Sequence, residues 1–300
     1  METGKLVDDY YNNMFDDYYE KSLLQGGTMC CPGCGGPLFW RMMLEALGPN
    51  TVIYGGAPCA GCAARNVKLP RFGLHFSGVG DGAAGMKAAF RVKGREDITV
   101  LSVNGDGAVG DISFGKASAS AERNDDIIQV TIDNESYMNT GGQKSGLTPF
   151  GARTTTTPLG KTTAKKRIPF IMIAHKVPYV ATVSVAYPRD LKAKFTKAKN
   201  IKGYRYIHTI MPCPTGWQSD PAQSIKVVRL GVQTWVWPLI EVEDGVLKLS
   251  VKPQQKPVQE YLQTQRRFRV LSKDKIEFLQ RQVDRERQWL LDNDGKALVV

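Results

Sequence analysis

Apolar residues fall along this chain in two alternating rhythms. Short runs rich in β-branched residues, TVIY at 51–54, ITVLSV at 98–103, IIQVTI at 127–132, YVATV at 179–183 and YRYIHTI at 204–210, read as strands. Helical spacing separates them at 37–47, 112–122, 168–174 and 190–199, with Gly48-Pro49 ending the first helix. Because the strand runs are apolar on consecutive positions, both faces should be covered, and strand–helix–strand order predicts a parallel sheet. One α/β unit is therefore expected over 1–220. Beyond it, 223–236 reads as a helix and 238–251 as a hairpin turning at Asp244-Gly245. Residues 256–292 follow as a basic, glutamine-rich helical tail, with Ser272 as N-cap and Ile276, Leu279, Val283 and Leu290 on one face. The 221–300 region is thus a C-terminal helix, hairpin and tail that either packs against another subunit or folds back on its own domain. An aromatic stripe at 5–24 is a further packing helix.

Composition narrows the class. Of 300 residues, 42% are apolar, enough for a sizeable core. No run approaches the roughly 18 consecutive apolar residues of a membrane span, and the opening METGKLVDDYYNN is polar and acidic, unlike a signal peptide. A cytoplasmic protein with no membrane partner is expected. The formal charge of +11 suits acidic proteins or anionic substrates, and equally a solvated basic surface.

Candidate chemistry collects at two places. GDG at 105–107 follows one strand, and Asn134 ends the next, so Asp106 and Asn134 come to the same carboxyl edge of the sheet, where ligands of such sheets sit. A carboxylate and a carboxamide suit Mg²⁺, which completes its octahedron with phosphate oxygens and water. Gly105 and Gly107 let backbone approach a diphosphate, and the helix after them offers free N–H groups. The GxG fragments at 78–82 read as close helix packing. The second place is a group of cysteines, five of the six lying within residues 30–62. In a chain without a secretory signal this points to metal or redox chemistry. Cys31-x2-Cys34 and Cys59-x2-Cys62 have nearly zinc-ribbon spacing, so on spacing alone a structural Zn²⁺ competes with an iron–sulfur centre. The loop 152–167, with four consecutive threonines and five basic residues, is either a solvated surface or a phosphate-attracting flap. His75, His175 and His208 share no ligand spacing and read as structural.

Taken together, GDG, DNESYMNTGGQKSGLTPFGA from Asp133, CCPGCGG from Cys30 and PCPTGW from Pro212 resemble the β subunits of 2-oxoacid:ferredoxin oxidoreductases over about 30–269. The resemblance implies a thiamine diphosphate-binding domain of the diphosphate-binding type. It further implies Asp106, Asn134 and the Ser136 carbonyl as Mg²⁺ ligands, and Asn139 and Thr140 beside the thiazolium ring and substrate. Cys31, Cys34, Cys59 and Cys213 would hold a [4Fe–4S] cluster, with Cys30 and Cys62 left as small buried side chains unless Cys62 replaces one of the four.

The activity implied is oxidative decarboxylation of a 2-oxo acid, with electrons passing to ferredoxin and the acyl group to coenzyme A. Pyruvate is the commonest substrate of the family; branched-chain 2-oxo acids, phenylglyoxylate and oxalate stay open, because 68–85 is shorter than the aromatic-rich loop of many pyruvate-specific relatives. No residue here supplies the carboxylate that activates the cofactor's aminopyrimidine, so partner α and γ subunits, and in some complexes δ, are expected. Two other classes remain: a non-redox thiamine diphosphate-dependent decarboxylase subunit without the cluster, and a basic zinc-ribbon nucleic-acid binder, which leaves GDG and NTGGQ unexplained.

Overall fold

A computed structural model describes residues 22–55, 59–73 and 76–298. The aromatic stripe, up to position 21, and His75 lie outside them. Along the chain run α1 (Gly36–Leu47), β1 (Thr51–Gly55), α2 (Cys59–Ala64), β2 (Arg71–Phe72), α3 (Asp81–Val92), β3 (Thr99–Gly105), α4 (Phe114–Glu122) and β4 (Ile128–Asp133). After the long loop come α5 (Ile168–Ala174), β5 (Tyr179–Ser184), α6 (Pro188–Asn200), β6 (Arg205–Ile210), α7 (Pro214–Trp217), α8 (Ser224–Gln233), β7 (Ile240–Glu243), β8 (Val246–Leu249), α9 (Val258–Gln263) and α10 (Lys273–Asp292).

The strands form one sheet in the order β2-β1-β3-β4-β6-β5-β7-β8. The first six are parallel; β7 joins β5 antiparallel and carries β8 as a hairpin. The five predicted strands are therefore present, displaced by a residue or two at their ends. The edge strand β2 has two residues, too short to show a period. Asp244 and Gly245 take φ of 47° and 80°, as a tight hairpin turn requires.

Side-chain alternation divides the core into two layers. Leu101, Val103, Ile128, Val130, Ala181 and Val183 face α1 and α6, where Phe39 and Phe195 meet edge to face at 5.9 Å. Val100, Val180, Tyr204 and Tyr206 lie in the other layer with Ala117, Ala121, Ile173 and Leu290 from helices. Burial on both faces explains why the strands read as unbroken apolar runs.

The helical tail comes in pieces: α9 stops at Gln263, a single turn at Arg266–Phe268 follows, and α10 begins at Lys273, directly after the Ser272 N-cap read from the sequence. α10 meets its own chain through fully buried Leu290, a Phe170–Trp289 ring pair at 5.8 Å and an Arg167–Glu286 ion pair at 2.8 Å. Ser272 stands at the N-cap, but its hydroxyl makes no capping bond.

Entry to β4, the strand that carries Asn134, is fixed electrostatically. Asp126, just before it, is ringed by Lys87 at 3.3 Å, Lys202 at 3.7 Å and Arg205, whose guanidinium touches it closely. Burial pushes the Asp126 carboxyl up, but Arg205 and Lys87 outweigh it and hold the group below the usual range. Its contribution is therefore complete above the unfolded carboxylate value of about 4 and is lost as pH falls through the lower folded value. Asp126→Asn leaves Lys87 and Arg205 buried without a counter-charge and should cost about 3 kcal/mol at pH 7. Denaturant melts across pH should show this deficit at neutrality and converging curves in acid.

Candidate functional site

β3 and β4 are neighbours in parallel register, with Gly105 opposite Ile132, so the residues that follow them emerge side by side at the carboxyl edge. Asp106 and Asn134 sit there almost fully buried, at 3% and 6% exposure. The Asn134 carboxamide oxygen faces Asp106 Oδ1 at 3.1 Å and the Ser136 carbonyl at 2.7 Å. As placed, the amide oxygen meets two other acceptor oxygens; turned over, the amide donates to both neighbours, whereas a hard cation among the oxygens would favour the orientation present. The second Asp106 oxygen accepts a 2.5 Å bond from Ser145 Oγ. Burial, and after it the charge of Asp133, push the Asp106 carboxyl well above its ordinary range. A hard cation at the three oxygens would reverse that.

Gly105, Asp106, Gly107, Asn134, Ser136, Asn139 and Thr140, all named from the sequence, line one cleft with Cys59, Phe76 and Tyr137. The space they enclose is about 20 Å³, room for roughly one water-sized group. Asn139 and Thr140 stand at its exposed lip, Thr140 Oγ1 donating to Gln143 Oε1 at 2.7 Å. Behind GDG the expected helix does not start at 112. A π-helical turn, Ala108–Ile112, intervenes, a form often found at functional sites.

Tyr137 was missed from the sequence. Its hydroxyl donates to the Gly107 carbonyl and contacts Asp111 Oδ2, both at 3.0 Å. A Cβ at position 107 would lie 2.0 Å from the ring, so Gly107 is required by this side chain as much as by any ligand.

Asp133 and Glu135 flank Asn134, both buried. Asp133 is met by Lys165 Nζ at 2.7 Å and His208 Nε2 at 3.0 Å; Glu135 by Lys165 at 2.6 Å and closely by Arg267. Burial alone would raise the Asp133 carboxyl, but Lys165 and His208 hold it below its usual range. His208, whose other nitrogen has no partner, is pushed down by burial and serves as a neutral donor, the structural role expected of it. His175 likewise bonds Ser118 Oγ at 2.9 Å. Lys165, expected in a solvated loop or a phosphate flap, instead bridges two buried carboxylates.

All six cysteines line a second cavity of about 150 Å³. Cys59, Ile132, Asn134, Met138 and Asn139 border both cavities, so the two share a wall. Hydrogen bonding from Cys34 lowers the Cys30 thiol to about 6, while burial and the neighbouring Cys213 raise Cys59 to about 12. Among the described residues no three His, Cys, Asp or Glu side chains are drawn round a single ion. Cys31, Cys34, Cys59 and Cys62 are gathered in this cavity together with Cys30 and Cys213.

Residues 65–209 match the family model of the C-terminal TPP-binding domain of thiamine pyrophosphate enzymes. The chain is 41% identical over 276 residues to pyruvate synthase subunit PorB of Methanothermobacter thermautotrophicus, covering 88% of this chain and 96% of that one. It is 40% identical to ketoisovalerate oxidoreductase subunit VorB of Pyrococcus horikoshii, covering 88% and 91%. The β subunit of NADH-dependent phenylglyoxylate dehydrogenase of Aromatoleum evansii is 36% identical, over 88% of this chain and 62% of that one. A solved 2-oxoglutarate:ferredoxin oxidoreductase from Magnetococcus marinus superposes with a TM-score of 0.58 at 23% identity, covering 70% of this chain and 79% of that one, which shows a common fold.

Gly107→Ala must displace the Tyr137 ring and should cost about 1–3 kcal/mol through overpacking, whereas Tyr137→Phe, which keeps the ring, should cost only about 1 kcal/mol. Thermal melts of the two variants check the order.

Proposed function

This chain belongs to the β subunits of the 2-oxoacid:ferredoxin oxidoreductases, and from that premise we propose that it supplies the diphosphate half of a thiamine diphosphate site and an adjoining iron–sulfur centre. The observation that carries the reading is the convergence of Asp106, Asn134 and the Ser136 carbonyl on one point, beside a cavity lined by six thiols. The oxygens fit Mg²⁺, and Cys31, Cys34, Cys59 and Cys213 fit the thiolate set of a [4Fe–4S] cluster. When bound, thiamine diphosphate supplies the nucleophilic carbon and electron sink that 2-oxo acid decarboxylation needs, and the cluster accepts electrons singly.

The protein's own part is positional. Asp106 and Asn134 hold the metal at the sheet edge, and Gly105 and Gly107 keep side chains away from the diphosphate. Asn139 and Thr140 orient the substrate at the lip. Ile132 and Met138 supply the apolar part of the shared wall between the two centres. The thiols favour this redox reading over a non-redox decarboxylase, which has no use for them. A 2-oxo acid is the substrate, pyruvate first and a branched-chain acid next, because relatives of both kinds are about equally similar. Coenzyme A takes the acyl group and ferredoxin the electrons. Partner α and γ subunits, with δ where present, close the half-site and bring the missing carboxylate.

In the anaerobically purified complex, Cys213→Ser should lower iron and sulfide by about four atoms each per β chain and weaken the visible band that bleaches with dithionite, while Cys30→Ser and Cys62→Ser should not. Unchanged iron in Cys213→Ser would overturn the ligand set. The isolated chain, given 2-oxo acid and all cofactors, should show no turnover until the partner subunits are added; activity without them would refute the shared site.

A further inference from the structure

Glu135, Lys165 and Arg267 take no part in that reaction, yet Glu135 stands in the chain between the two residues that supply two of the three oxygens of the cation site, and Lys165 and Arg267 both hold its carboxylate. We propose that Lys165 and Arg267 are positioning residues that set the metal site by holding Glu135 in a left-handed turn. This rests on the metal-binding reading above.

Glu135 has φ of +67°, a region that costs a residue with a Cβ on the order of 1 kcal/mol and is kept only where surroundings impose it. The residue lies between Asn134 and Ser136, and its backbone turn brings the Asn134 side chain and the Ser136 carbonyl to face each other. Every group of Glu135 that could hold the turn is engaged. Its N–H donates to Asp133 Oδ1 at 2.9 Å, its carbonyl accepts from Thr148 Oγ1 at 2.6 Å, and its two carboxylate oxygens take Lys165 at 2.6 Å and Arg267. Arg267 also lies over the Trp217 ring at 4.4 Å, and that indole N–H donates to the Asn134 carbonyl at 2.9 Å. Asn134 is thus pinned through its own backbone and through its neighbour.

Charge supports the assignment. Asp133 and Glu135 carry two negative charges beside a site built for a cation, and Lys165 and Arg267 cancel both. The metal is thereby left to Asp106, Asn134 and the diphosphate, instead of being drawn to the flanking acids. Buried pairs of this kind are no more stabilising than well-packed apolar residues, so stability alone does not explain them. Fixing ligand geometry does.

The test uses the assembled complex. Lys165→Met and the isosteric Glu135→Gln should each weaken Mn²⁺ binding, followed by electron paramagnetic resonance, by about 10–100-fold, the range for residues that orient metal ligands. Thiamine diphosphate affinity should fall in parallel. At saturating metal and cofactor, kcat should stay within about twofold, and iron content should be unchanged. Lys165→Arg should restore most of the affinity. Glu135→Gln keeps the side chain's shape and decides the matter if Lys165→Met fails to assemble. Folded variants that bind Mn²⁺ as the parent does would overturn the positioning role alone; a parent complex that binds neither Mn²⁺ nor thiamine diphosphate would sink the metal-site reading with it.

Discussion

Two carboxylates, Asp106 and Asp133, stand at the ends of adjacent strands with almost no water to screen them, and much of the site answers their repulsion. Asp133 is neutralised from within, by Lys165 and by the N–H of a neutral His208. Asp106 has no such cation. It accepts from the Ser145 hydroxyl and the Gly107 N–H, and its Oδ1 faces the Asn134 carboxamide oxygen. Inside a protein an unpaired carboxylate is costly, and its neutralisation by proton or metal is strongly favoured. The asymmetry between the two acids marks Asp106 as the one left for an external charge.

The same sheet edge joins the two chemistries. Loops after β3 and β4 form the cleft, the chain around α1, α2 and α7 brings the thiols, and Asn134, Met138 and Asn139 border both cavities. Parallel strands make this possible, because every strand end on that edge faces the same way and segments distant in sequence arrive together. Cys213 reaches the group from the end of β6, far from the other five cysteines.

The strands, GDG and the cysteine spacing were legible because they are local. A run of β-branched residues announces a strand wherever the strand is placed; Gly105, Asp106, Gly107 and Asn134 could be named from the strand ends, and Ser136, Asn139 and Thr140 from the family resemblance. The parts that were not legible depend on partners far away in the chain. Tyr137 looked like one aromatic among several, and its role appears only once Gly107 and Asp111 are seen beneath it. Lys165, in a loop of threonines and basic residues, had the composition of a solvated segment; its two acids are set by the fold. The start of α10 after Ser272 was legible, but the inward turn before it was not, since Gln265, Arg267 and Phe268 are buried, with Arg267 on Glu135 and Phe268 against Tyr261.

The pairing of Glu135 with Arg267 spans 132 positions. During synthesis the sheet's central strands and all six cysteines leave the ribosome well before Arg267 does. Loop closure over such a span is slow compared with local folding. The clamp on the turn beside Asn134 therefore closes only after Arg267 has been made, later than the last of the six cysteines, Cys213. The thiols of the sulfur-lined cavity are thus all in hand before the clamp on the Glu135 turn can close.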